Sequence, residues 1–101
     1  MNPAKVERSR VRQLTDLPNV GEATAKDLVL LGIRSPAQLV GKDPWQLYGQ
    51  LCRKTHSRQD PCVLDVLISI TSFADGGEAK PWWEFTAERK RRYGDPLPYV
   101  Q

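Results

Sequence analysis

The chain reads as an all-α domain of five to six short helices, and three features predict it. Four segments open with a capping residue followed at once by proline: Asn2-Pro3, Ser35-Pro36, Asp43-Pro44 and Asp60-Pro61. The polar side chain can accept an orphan backbone N–H, and proline suits the first helical position, where its missing N–H is not needed. Residues 61–75 are apolar around most of a helical circumference (Val63, Leu64, Val66, Leu67, Ile68, Ile70, Phe73), with Asp65, Ser69 and Ser72 on one narrow stripe. Such a helix is the central post of a bundle. No stretch alternates apolar and polar residues long enough to build a sheet.

The elements follow in order. A first helix is expected over 4–13, with Lys5, Arg8 and Arg12 on one face. Leu17-Pro18-Asn19-Val20-Gly21 then reads as a tight turn. Pro18 biases Leu17 away from helical dihedrals, and Asn19 and Gly21 tolerate unusual backbone conformations. A helix starts at once after Gly21, over 22–31, and stops at Gly32. Further helices are expected over 36–41, 44–55, 61–75 and 84–92, with stops at Gly76-Gly77 and Gly94. The 44–55 helix sets Leu47, Tyr48 and Leu51 on one face with Cys52 beside them. One domain, 1–93, is expected, followed by a flexible tail over 94–101 that has two prolines and no periodicity.

Composition narrows the function. The 101 residues suffice for one small core, and 40% hydrophobic with 27% charged residues marks a globular chain. No apolar run is long enough to span a bilayer, and the Met-Asn-Pro start followed by mixed charge does not read as a signal peptide. A cytoplasmic location is the expectation, with the two cysteines as thiols. Residues 1–13 hold four basic side chains against one acidic, and 89–101 hold the same. The middle holds seven basic against ten acidic. The basic excess therefore lies at the two ends, which is weak grounds for nucleic-acid binding unless the ends share a face with the turn.

The turn carries the sharpest functional signal. A turn that opens a helix presents unpaired N–H groups, which attract phosphate without needing a particular side chain. The donors would be the main-chain N–H groups around Asn19, Val20, Gly21, Ala23 and Thr24. Thr24 could add a hydroxyl and Lys26 a charge. A plain structural turn explains the same residues about as well. Arg8 and Arg12 could reach DNA phosphates beside it. Arg89–Arg92 read first as a solvated helix end that complements the helix dipole.

Leu17, Val20, Gly21 and Ala25 match the helix-hairpin-helix motif of DNA-binding proteins, which this stretch resembles; Asn19 stands where that motif prefers glycine. The resemblance extends through Gly32-Ile33-x-Ser35-Pro36, Asp60-Pro61-Cys62 and Pro81-Trp82-Trp83-x-Phe85-Thr86, roughly from Arg10 to Arg92. Over that span the chain resembles small bacterial proteins catalogued as pathogenicity-locus or mitomycin-resistance helix-hairpin-helix proteins. The resemblance implies a SAM-like bundle related to tandem helix-hairpin-helix domains.

Two other constellations stand in the sequence. Cys52 and His56 are four apart, so a helix would place them on one face; Cys62 with Asp60 or Asp65 could complete a zinc site or a redox-sensing pair. The spacing matches no zinc pattern, and cysteine is more often a small hydrophobe. Trp82-Trp83 could stack bases, although anchoring of the C-terminal segment is the plainer reading. His56 is the only histidine, and no catalytic set, resident cofactor or small-molecule substrate can be named. The expected function is therefore non-enzymatic: weak, sequence-independent binding of double-stranded DNA through backbone phosphate. The rivals are a protein-interaction module on the same scaffold, exposing an apolar patch at Trp45 or Trp82-Trp83, and a metal- or thiol-dependent regulator.

Overall fold

A computed structural model describes residues 3–98. Among the described residues four α-helices form: α1 over Glu22–Leu30, α2 over Pro44–Thr55, α3 over Pro61–Ala74 and α4 over Thr86–Tyr93. Short 3-10 turns at Pro3–Lys5, Arg8–Arg10, Leu14–Asp16, Pro36–Leu39 and Trp82–Phe85 connect and brace them. No strand occurs among the described residues.

The cap-proline starts act locally as their chemistry requires. Asp43 accepts the N–H of Trp45 at 3.0 Å, and Asp60 accepts that of Cys62 at 2.9 Å. At Ser35-Pro36 the same signal yields only the 3-10 turn Pro36–Leu39. Asn2 of the remaining pair lies outside the described residues.

The helix expected over 4–13 does not form. Glu7 and Val11 are extended, and two separate 3-10 turns take its place. A short, charged segment has too little apolar face to offset helix nucleation. The segment is held instead by Val6 and Val11, packed against the core, and by Arg8. Arg8 donates to the carbonyls of Phe73, at 2.5 Å, and of Gly77, while its guanidinium lies 3.9 Å over the Phe73 ring. Arg8 thus closes the C-terminus of α3, where free carbonyls favour a cation.

Helix α3 is the post, packed against α2, α4 and the turns at 36–39 and 82–85. Leu64, Leu67, Ile68, Ile70 and Phe73 are buried on it, with Leu28 of α1 and Tyr48 of α2 in the same core. The Tyr48 hydroxyl donates to the carbonyl of Gln59, so its ring is buried without an orphaned polar atom. The polar stripe of α3 is an internal docking strip. Asp65 receives Arg89 Nε at 2.5 Å and Thr86 Oγ1 at 2.7 Å, which seats α4. Ser69 Oγ accepts from Asn19, which seats the turn before α1.

The segment expected to be a tail returns to the body. Leu97 is buried in the core, and its carbonyl accepts from Arg58 Nη2 at 2.7 Å. Gly94, at φ 101°, lets the chain reverse there, and Lys90 pairs with Asp95 at 3.4 Å. A boundary between 93 and 94 therefore does not separate folded from unfolded chain as far as residue 98.

Candidate nucleic-acid interface

The turn before α1 is built from both sides. Asp16 Oδ2 accepts the N–H groups of Arg12 and Gln13, each at 3.0 Å, and these two donors hold its carboxyl below its ordinary pKa. The 3-10 turn Leu14–Asp16 follows, and Leu17, Pro18 and Val20 are sunk into the core. Asn19 stands between them with φ 65°, the left-handed conformation that asparagine tolerates better than other non-glycine residues. Its amide is used on both ends. Nδ2 donates to Ser69 Oγ at 3.1 Å and to the Lys80 carbonyl at 2.8 Å, while Oδ1 accepts from Trp82 N–H at 3.2 Å. Replacing Asn19 by glycine keeps the left-handed turn and removes all three bonds. The expected loss is about 2 kcal/mol, read from the urea unfolding midpoint.

Gly21 caps α1 with an extended backbone (φ −94°, ψ −171°) and no side-chain cap. Its carbonyl takes the first helical bond, from Ala25 N–H at 3.0 Å. The N–H groups of Gly21, Ala23 and Thr24 find no acceptor among the described residues. Gly21 and Ala23 are exposed and Thr24 is half-buried. A Cβ built on Gly21 meets nothing within 4 Å, so that position faces open space. Glu22 lies exposed in the same helical turn and makes no hydrogen bond to these amides. Lys26, a turn further on, is exposed and makes no ion pair among the described residues. Burial raises the Asp27 carboxyl above its usual pKa.

Not every residue expected in the interface lies there. Val20 is 1% exposed, and its N–H turns back toward the Leu17 carbonyl at 3.5 Å, so Val20 belongs to the core. The Asn19 side chain pins the turn, as described, and is spent. Arg8 is committed to α3. Arg12 is exposed but folds onto its own segment, donating to the Ser9 carbonyl at 2.7 Å. Without the first helix, Lys5, Arg8 and Arg12 share no helical face. Arg89, read as part of a solvated run, is buried against Asp65. Sequence reasoning missed Lys80. Its backbone is tied to Asn19, and its side chain is exposed beside the turn. Only a contact between residues 61 apart reveals that placement.

The cysteine and histidine constellation does not assemble. Helix α2 ends at Thr55, and His56 takes the left-handed capping conformation at φ 52°, so it leaves the face that Cys52 occupies. Cys52 is buried, its Sγ accepting from Gln59 N–H at 3.4 Å. No group of three His, Cys, Asp or Glu side chains suited to a metal gathers among the described residues. Burial first, then the neighbouring Asp60 carboxylate, pushes the Cys62 thiol up to about 11. Its thiolate fraction near neutral pH then falls roughly 100-fold below that of a free cysteine. Iodoacetamide is expected to label Cys62 in the folded protein slower than a free thiol by about that factor, with mass spectrometry as the check.

Trp45 is no exposed patch. It stacks between Tyr48, at 5.8 Å, and Tyr93, at 5.2 Å. Trp83 is 60% exposed, and Val29, Leu30 and Val40 are exposed at and beyond the far end of α1. No helix among the described residues is long and apolar enough to cross a membrane.

Comparison with known proteins adds the family context. The family model described as Cdd1, pathogenicity locus, matches residues 7–91. The mitomycin resistance protein McrB of Streptomyces lavendulae is 44% identical over 78 residues, which are 77% of this chain and 74% of that protein. No solved structure matches.

Proposed function

The chain belongs to the Cdd1 pathogenicity-locus family, and we propose that it binds the DNA backbone, without reading sequence, through the turn that opens α1. In this reading residues 14–30 act as a helix-hairpin-helix whose first helix has shrunk to the 3-10 turn Leu14–Asp16. The observation that carries it is the set of N–H groups at Gly21, Ala23 and Thr24 that have no acceptor among the described residues, at a helix start where Gly21 and Ala23 are exposed and Thr24 is half-buried. Those donors and the helix dipole favour an anion. Lys26 adds a positive charge one turn along, and Lys80 a second from the neighbouring segment. Such contacts hold a phosphate in place and carry no base information. The McrB relative's name speaks of mitomycin resistance and supplies no ligand for this turn.

With so few cations the binding is weak and salt-sensitive, with a log–log slope of about −1 to −3. Fluorescence anisotropy with a random duplex at low salt tests it. Gly21→Glu/Lys26→Glu places two carboxylates at the proposed phosphate, and the open space at Gly21 lets the fold accept the first. The double variant is expected to lose measurable binding while its thermal unfolding stays close to wild type. Equal binding by the two proteins excludes the reading.

A second reading is a protein-interaction module. The exposed Val29, Leu30 and Val40 favour it. They lie at the end of α1 away from Gly21, so a partner there leaves the turn free. That reading alone predicts no salt-dependent affinity for DNA.

A further inference from the structure

We infer that Trp83 is a stacking platform for an unpaired base next to the phosphate held by the α1 turn, so that the preferred ligand is DNA with unpaired nucleotides beside a duplex. The inference rests on the phosphate reading of that turn. Asn19 carries the geometry. Its amide binds both the Lys80 carbonyl and the Trp82 N–H, which holds the backbone of 80–82 against the turn. Gly21 is two residues from Asn19, a span of at most about 7 Å between Cα atoms, and Trp83 directly follows Trp82.

Trp83 is a large apolar side chain left 60% in solvent, yet its backbone is rigidly mounted. The 3-10 turn Trp82–Phe85 that carries it is anchored by the buried Phe85 and packs against α3. Trp82 meets Trp83 edge to face, with centroids 5.7 Å apart and an interplanar angle of 83°. A ring held this way loses little freedom when a base stacks on it. Charge distinguishes what lies where. Lys80, whose carbonyl is tied to Asn19, brings a positive charge to the segment held against the turn, where a phosphate is expected. Glu84, the exposed residue directly after Trp83, adds a negative charge that disfavours a second phosphate there, so the surface at Trp83 suits a base. A base inside a duplex is stacked and out of reach, so only an unpaired one can meet the ring.

Anisotropy with two probes tests the inference on the full chain at low salt. One is a blunt duplex, and the other is the same duplex carrying a short unpaired overhang. Wild type is expected to bind the overhang probe roughly tenfold more tightly. Trp83→Ala is expected to erase that preference while keeping affinity for the blunt duplex, and Trp83→Phe to retain most of it. Gly21→Glu/Lys26→Glu should weaken binding to both. Equal affinity of wild type for the two probes overturns the inference and leaves the phosphate reading standing, as does a preference that survives in Trp83→Ala. Binding to neither probe overturns both.

Discussion

Replacing Asp65 by alanine is expected to destabilise the protein by about 3–5 kcal/mol. The carboxylate sits on α3 with its side chain 1% exposed, and the Arg89 side chain that meets it is 9% exposed. Nearly all water is excluded from the pair, so each charge depends on the other. One carboxylate oxygen takes Arg89 Nε and the other takes the Thr86 hydroxyl. Alanine leaves a buried guanidinium without its paired carboxylate and a hydroxyl without its acceptor. For a domain of this size the loss is a large share of the total stability. The pair is not thereby a net source of stability. Replacing both members by apolar residues, as in Asp65→Leu/Arg89→Met, should cost less than either single removal. Urea unfolding followed by tryptophan fluorescence measures all of these. A loss below about 1 kcal/mol for Asp65→Ala would mean that water reaches the pair.

Leu67→Ala is the second large effect, at about 2–5 kcal/mol. Leu67 is 2% exposed and lines an apolar recess with Leu28 of α1, Leu31 just after it and Leu51 of α2. Truncation enlarges that recess, which residues of α1, α2 and α3 line together. The consequence reaches the candidate site, because Leu28 is the buried anchor of α1. Loosening its seat should speed amide exchange along α1 in proportion to the stability lost. Hydrogen exchange separates this from a loss confined to α3.

Much of the fold was legible because the responsible signals are local. Asp43-Pro44 and Asp60-Pro61 specify their helices through caps a residue or two away. The apolar circumference of 61–74 announced the central post. What stayed hidden depends on partners distant in sequence. Arg8 reads as one member of a basic helical face, but α3's carbonyls claim it across 65 residues. Arg89 reads as part of a solvated run until Asp65 is placed opposite. Asn19 was legible as a left-handed turn residue; its bonds to Ser69, Lys80 and Trp82 were not, because nothing near Asn19 encodes them. His56 failed as a metal candidate for a local reason, since the helix ends one residue before it. The free donors at Gly21, Ala23 and Thr24 were legible, because any helix start leaves them unless a side chain intervenes.

The central claim is that those donors receive a phosphate. Titrating the 15N-labelled protein with duplex DNA at low salt, and following backbone amide resonances, tests it most directly. The Gly21, Ala23 and Thr24 amides are expected to shift together and to return when salt is raised. Shifts confined to other residues while these three stay fixed would contradict it.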